Sequence, residues 1–263
     1  MTEYVFPILV FVLLGAVSGG ILVFADKVFY VKTDETVANL TECLPGLNCG
    51  ACGFSGCEGY AAAIAAGNAE PNQCKPGGGD VAKKIGEVLG VSVEEAVREV
   101  AYVSCLGCGD KKQAKFDYNG VNACYAVSRL YGGSGGCSYG CAGFGDCAAV
   151  CENGAISFDN GVAFIDCSLC VSCGKCIEAC PLNIIRFKKV TSLVSVTCSS
   201  LDTGKEVNKV CSNGCIACRI CEKKCPEHAI AVPDGKNLAV IDRDKCTNCG
   251  TCVTACPKKC IVG

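Results

Sequence analysis

The chain contains no tryptophan, one histidine and one methionine, and only 7% of its 263 residues are aromatic. With so few large side chains, apolar burial needs help from something else to hold the fold. Neither charge sign dominates: 24 Lys and Arg stand against 26 Asp and Glu, with no basic block, which disfavours nucleic-acid binding by bulk charge. Disorder is excluded by the reverse balance, since 50% of residues are apolar and 19% charged. There is no G-x-x-x-x-G-K-[ST] loop and no G-x-G-x-x-G turn between a strand and a helix. The stretch Gly132-Gly-Ser-Gly-Gly136 reads as flexible loop. No nucleophile–base pair supports acyl transfer or hydrolysis, so no catalytic residue is assigned.

What the chain does have is 28 cysteines and 32 glycines. Disulfides, zinc and iron–sulfur clusters are the candidate staples. The first segment bears on the choice. Tyr4 to Ala25 is 22 residues without a charge, long enough to cross a bilayer as a helix. A signal peptide would carry Lys or Arg before its apolar core. Here Met1-Thr2-Glu3 precedes the core, while Lys27 and Lys32 follow it. The positive-inside rule therefore predicts a retained single-pass anchor with the rest of the chain in the cytoplasm. Gly15 and Gly19 give a small-xxx-small pair that would let a second helix approach, or reflect chance in a Gly-rich chain. A cytoplasmic chain keeps its thiols reduced, so metal ligation becomes the default for the cysteines.

The predicted organisation is a transmembrane anchor over 1–25, a linker over 26–40, a four-Cys domain with helices over 41–100, and two modules over 101–190 and 191–263. In the four-Cys domain, Tyr60–Ala66 reads as a short helix stopped by Gly67, and Asp80–Leu89 as another. Ser92 and Glu95 have capping-box spacing for a third, running to about Val100. The two modules are an internal duplication. Cys137-Ser-Tyr-Gly-Cys141 through Cys151 aligns without a gap on Cys211-Ser-Asn-Gly-Cys215 through Cys225, displaced by 74 residues. Cys170, Cys173, Cys176 and Cys180-Pro181 align on Cys246, Cys249, Cys252 and Cys256-Pro257, displaced by 76. Val103-Ser-Cys105 also has a counterpart in Val196-Thr-Cys198. Between its two Cys runs each module carries a hairpin signal, Asn160-Gly161 or Asp234-Gly235 between short apolar strands.

Three runs read C-x2-C-x2-C-x3-C-P: 170/173/176/180, 215/218/221/225 and 246/249/252/256. This is the bacterial ferredoxin run for 4Fe-4S clusters, in which three thiolates come from one loop and the fourth serves the partner cluster. The run at 137–151 departs from it. Phe144 stands where the copy has Cys218, and Cys151 is followed by Glu152 in place of proline. Cys137 is the nearby thiol that could fill the gap. The expected sets are therefore Cys137, Cys141, Cys147 with Cys180; Cys151 with Cys170, Cys173, Cys176; Cys215, Cys218, Cys221 with Cys256; and Cys225 with Cys246, Cys249, Cys252. A fifth set is C49-x2-C52-x4-C57-x16-C74. Zinc is the rival, but its four-Cys sites usually pair two C-x2-C knuckles, whereas these runs hold three close cysteines and then C-P. Five clusters leave Cys43, Cys105, Cys108, Cys124, Cys167, Cys198, Cys211 and Cys260. These read as structural thiols, with Cys105, Cys124, Cys198 and Cys211 the best candidates for further ligands. His228 aligns with Gly154 and reads as a surface residue.

The anchor, the segments Leu44-Pro-Gly-Leu-Asn-Cys49-Gly-Ala-Cys-Gly-Phe-Ser-Gly-Cys57 and Asn72-Gln-Cys-Lys-Pro-Gly-Gly-Gly79, and the tandem ferredoxin modules together resemble the B component of the Rnf complex, in its longer form. Cys137-Ser-Tyr-Gly-Cys141, Gly143-Phe-Gly-Asp-Cys147 and Cys198-Ser-Ser with Gly204-Lys205 add to the likeness, which covers nearly the whole chain. The resemblance implies an α+β electron-transfer subunit of an ion-translocating ferredoxin:NAD oxidoreductase, with 4Fe-4S cofactors. Its implied partners are soluble ferredoxin and the other subunits, which carry the flavins and the NAD site. An iron–sulfur subunit of another membrane redox enzyme, of hydrogenase or formate dehydrogenase type, is the alternative, and co-purifying partners distinguish the two.

Overall fold

The computed structural model describes residues 2–28, 35–93 and 97–263. Helix α1 spans Thr2–Val28. Its side chains are described from Val10 to Ala25, and through Phe24 they are exposed. Counting only described residues, no helix is both long and apolar enough to cross a membrane.

Three helices follow: α2 (Glu35–Cys43), α3 (Cys57–Ala65) and α4 (Gly78–Leu89). They close on a small apolar core of Leu40, Tyr60, Ile64 and Ile85. Tyr60 is buried, and its hydroxyl is satisfied: it donates to the Glu70 carbonyl at 2.7 Å and accepts from the Gln73 amide at 3.0 Å. This ties the Cys57 helix to the loop that delivers Cys74. α4 ends at Gly90, whose φ of 68° suits the left-handed C-cap. The third helix expected from Ser92 is not seen where the chain is described. Residues 94–96 lie outside the described residues, and Glu99–Val100 open strand β1 (Glu99–Val103). Pairing with a distant strand prevails here over local capping chemistry.

Each module is framed by two antiparallel pairs. In the first, β1 pairs with β4 (Ile185–Lys189), and β2 (Ile156–Asp159) pairs with β3 (Val162–Ile165) across the Asn160-Gly161 turn. In the second, β5 (Ser195–Val196) pairs with β8 (Ile261–Val262), and β6 (Ile230–Ala231) with β7 (Val240–Ile241). The first strand of a module thus meets its last, and the hairpin lies between. Hydrogen bonds outside the strands repeat as well. Ser104 N–Ile184 O at 2.7 Å has its twin in Thr197 N–Cys260 O at 2.8 Å, and Asp166 N–Ala155 O at 2.8 Å in Asp242 N–Ala229 O at 2.7 Å.

The helices of the modules are short: α5 (Cys124–Ser128), α6 (Asp146–Ala149), α7 (Lys175–Glu178), α8 (Gly204–Val210), α9 (Ile220–Lys224) and α10 (Thr251–Ala255). None is long enough to persist by propensity. Cys141, Cys147, Cys170 and Cys176 sit in the core of the first module, and Cys215, Cys221, Cys252 and Cys260 in that of the second.

Candidate metal centres

Four loops deliver most of the thiols, and they share one backbone device. The second position of each run (Phe144, Cys173, Cys218 or Cys249) is flanked on both sides by a residue with positive φ. The pairs are Gly143 and Gly145, Ser172 and Gly174, Ala217 and Arg219, Asn248 and Gly250. Left-handed turns of this kind aim successive N–H groups into a concavity that favours anionic sulfur. A third left-handed residue follows three places after each run: Gly154, Asn183, His228 and Lys259. His228 therefore serves as a turn residue. Gly143 has the least freedom to change. At φ 83° a Cβ there would lie 2.5 Å from the Gly161 carbonyl oxygen. Gly143→Ala is expected to cost about 2 kcal/mol or more in the first module. Matching thermal melts of the variant and the parent would contradict this.

The thiols gather around open-sided cavities. Cys151, Cys170, Cys173 and Cys176 line one, Cys225, Cys246, Cys249 and Cys252 a second, and Cys215, Cys218, Cys221 and Cys256 a third. In each, three residues come from one run and one from the other run of the same module. Cys260 also lines the third cavity. It occupies the position of Ile184 in the duplicate and is as deeply buried, at 2% exposure each. That equivalence marks it as a packing thiol. In the N-terminal domain, the field at Cys74 comes from Cys57, Cys52 and Cys49, so those four are neighbours.

The fourth module cavity differs from expectation. Cys141, Cys147 and Cys180 line it, but the fourth thiol is Cys124 and Cys137 is elsewhere. Cys124 opens α5, and Asp146 pins it there: the carboxylate accepts from the Cys124 amide at 2.8 Å and from the Tyr125 amide at 2.9 Å. Asp146 is itself the residue before Cys147, so one side chain holds two thiols of the set in register. Phe144, in the place of the missing cysteine, packs edge-on against Tyr118 with ring centroids 5.5 Å apart. Asp146→Ala removes both bonds and is expected to destabilise the module by about 1–2 kcal/mol. It should also speed iron loss from this cavity. Unaltered iron retention under a chelator would contradict that role.

Cys137 lies instead with Cys105, Cys198 and Cys211, around a cavity between the two modules. Cys43, Cys108 and Cys167 line none of these five cavities.

The donors suit a cluster. Among the described residues, no three His, Cys, Asp or Glu side chains converge as ligands of a single metal ion. The thiols line cavities in sets of four. Burial pushes the Cys147 thiol up to about 12, and Cys141, Cys124 and Cys180 add to the effect. Cys176 and Cys221 are raised to about 11, first by burial and then by their neighbouring cysteines. Four such thiols resist ionising together unless a cation compensates, and iron supplies that charge.

Two family models match: an Fe-S cluster family over residues 44–76 and a 4Fe-4S dicluster domain over 214–261. Three curated relatives match over almost the whole of this chain. The B component of an ion-translocating oxidoreductase complex of Methanosarcina acetivorans is 43% identical, covering 94% of each chain. The chain belongs to the family of Rnf complex B components. The B component of a Na(+)-translocating ferredoxin:NAD(+) oxidoreductase complex of Acetobacterium woodii is 40% identical, over 98% of this chain and 77% of the relative. Its counterpart in a proton-translocating ferredoxin:NAD(+) oxidoreductase complex of Clostridium ljungdahlii is 37% identical, over 98% and 91%. The Rnf family thus includes members named for Na⁺ and for H⁺.

Proposed function

We propose that this chain is the membrane-anchored electron-relay subunit of an ion-translocating ferredoxin:NAD oxidoreductase. In this reading it takes electrons from reduced ferredoxin and passes them toward the NAD-linked and membrane subunits. One observation carries the reading. In each of the four intra-module cavities, thiols from separate segments of one module meet in a set of four, as a two-cluster ferredoxin requires.

The residues that would hold the clusters are Cys49, Cys52, Cys57 and Cys74; Cys151, Cys170, Cys173 and Cys176; Cys124, Cys141, Cys147 and Cys180; Cys215, Cys218, Cys221 and Cys256; and Cys225, Cys246, Cys249 and Cys252. When bound, a 4Fe-4S cluster supplies one-electron chemistry at a potential set by charge, hydrogen bonds and exposure. The chain contributes the setting. Leu47 and Cys49 of the N-terminal domain line the cavity of Cys151, Cys170, Cys173 and Cys176, which puts the first set beside the second. Lys75 braces that junction, 3.7 Å from Glu99 and 4.7 Å from the Phe187 ring centroid. The domain boundaries in this reading are 41–100, 101–190 and 191–263, with β1 (Glu99–Val103) straddling the first.

The anchor is α1. The uncharged run Tyr4–Ala25 supports it, as do Phe11, Leu13, Leu22 and Phe24, each more than 60% exposed and in need of an apolar surround. Lys27 and Lys32 after the run support a cytoplasmic position for the remainder. Deleting residues 2–28 is expected to move the protein from the membrane to the soluble fraction with its iron retained. Membrane retention in the absence of the other subunits would contradict the anchor.

Iron, acid-labile sulfide and zinc on anaerobically purified protein test the cofactor content. At least about 20 iron, four for each of five clusters, with equal sulfide and little zinc, is the expected result. Zinc with little sulfide would replace the relay with a zinc-stabilised interaction module.

A further inference from the structure

The cavity between the modules is lined by four cysteines that the ferredoxin pattern does not use: Cys105, Cys137, Cys198 and Cys211. We infer that they form a sixth 4Fe-4S site, shared equally by the two modules and linking the two halves of the relay. The inference rests on the relay reading and extends it.

Symmetry favours the site. Cys105 and Cys198 are equivalent in the duplication, as are Cys137 and Cys211. Each module therefore gives the same pair. The backbone around the pairs is equivalent too. The Cys141 amide donates to Cys105 Sγ at 3.4 Å, and the duplicate Cys215 amide donates to Cys198 Sγ at 3.3 Å. The Gly107 amide adds a 3.4 Å bond to Cys105 Sγ. Amide donors aimed at cysteine sulfur are a recurring feature of iron–sulfur ligation. Gly107 lies beside a thiol from each module: a Cβ there would be in ordinary contact, 3.7 Å from both Cys105 Sγ and Cys211 Sγ.

A polar atom left without a partner points the same way. Ser104 lines this cavity and is 1% exposed. Among the described residues, its Oγ is the buried side-chain polar atom with no hydrogen-bond partner. A buried hydroxyl without an acceptor is costly. Cluster sulfur would supply the acceptor. The duplicate, Thr197, needs none, because its hydroxyl donates to the Cys260 carbonyl at 3.0 Å.

Position in the fold completes the case. Backbone bonds close the two modules over the cavity: Gln113 N to Val210 O at 3.0 Å and Ser212 N to Lys111 O at 2.9 Å. Lys112 lines the same cavity and donates to the Cys141 carbonyl at 2.5 Å. It thus sets one positive charge between this site and the Cys124, Cys141, Cys147 and Cys180 set. The Cys141 and Cys215 amides bind the sulfurs of this site while their own thiols line the cavities on either side. The site is therefore a bridge between the modules. Transfer of a preformed 4Fe-4S cluster from a donor onto the site exchanges the donor's ligands for the four thiolates, whose protons pass to those ligands or to solvent, with no net redox change.

The test is metal analysis on the anaerobic full chain together with Cys105→Ala, Cys198→Ala and, as control, Cys108→Ala. The parent is expected to carry about 24 iron, four for each of six cubanes. Cys105→Ala and Cys198→Ala should each lose about four iron and about four sulfide, and Cys108→Ala none. If either variant fails to fold, the parent count still decides, with Ser104→Ala as a gentler probe. That variant should keep all its iron while the potential of one cluster falls. About 20 iron in the parent, or about 24 that Cys105→Ala and Cys198→Ala both retain, would overturn the sixth site and leave the relay standing. Zinc in place of iron throughout would instead bring down the reading on which it rests.

Discussion

The double variant Cys137→Ala/Cys147→Ala is expected to lose about eight iron, whereas Cys124→Ala/Cys147→Ala is expected to lose about four, four being the content of one cubane. The contrast follows from where the thiols lie. Cys124 and Cys147 line one cavity with Cys141 and Cys180, so removing either vacates the same site and removing both adds nothing. Cys137 lines a different cavity, and its loss is independent. Residues that act as a unit are non-additive and separate units add, so the pair of double variants works as an assignment of ligands. Had Cys137 been the fourth ligand beside Cys141, both double variants would lose about four iron.

Stripping the iron is expected to unfold both ferredoxin modules and to leave the N-terminal helices better preserved. The strand pairs β5–β8 and β6–β7 hold two residues on each side. Isolated hairpins and helices of four to seven residues are unstable in water. Four of the twelve buried residues of the first module's core are cysteines, so a large part of that core is completed by what those cysteines bind. Ligand binding of this kind is folding free energy. In contrast, α2, α3 and α4 close on Leu40, Tyr60, Ile64 and Ile85. Anaerobic chelation followed by circular dichroism and hydrogen exchange checks this. Exchange protection that survives iron removal across 101–263 would contradict it.

The ferredoxin runs were legible in the sequence because each is compact: three thiols fall within seven residues and the fourth lies four places on, so local spacing carries the chemistry. The hairpins were legible for the same reason, through Asn160-Gly161 and Asp234-Gly235. The inter-module set was legible only in part: Cys105, Cys198 and Cys211 stood out as candidate ligands, but its members come from four separate segments and no short spacing groups them with Cys137. A usable signal existed in the duplication: Cys137 aligns with Cys211, which has no gap to fill in its own complete run. Taking Phe144 as a vacancy for the nearest thiol set that alignment aside, whereas Cys137 lines the cavity of Cys211 and Cys124 lines that of Cys141, Cys147 and Cys180. Cys124 was singled out as a candidate ligand but not assigned to a set, since it reaches its cavity through the Asp146 carboxylate and a helix start well upstream. Where the chain is described, the helix expected after Ser92 does not reach Val100, because Glu99–Val103 is matched residue for residue with Ile185–Lys189.

The most direct test of the relay is reduction of the intact, anaerobically purified chain by reduced ferredoxin, followed by visible absorption and electron paramagnetic resonance. Rapid bleaching, several electron equivalents taken up per chain, and signals from interacting reduced clusters are the expected results. A chain replete with iron and sulfide that accepts no electrons from reduced ferredoxin would contradict the relay.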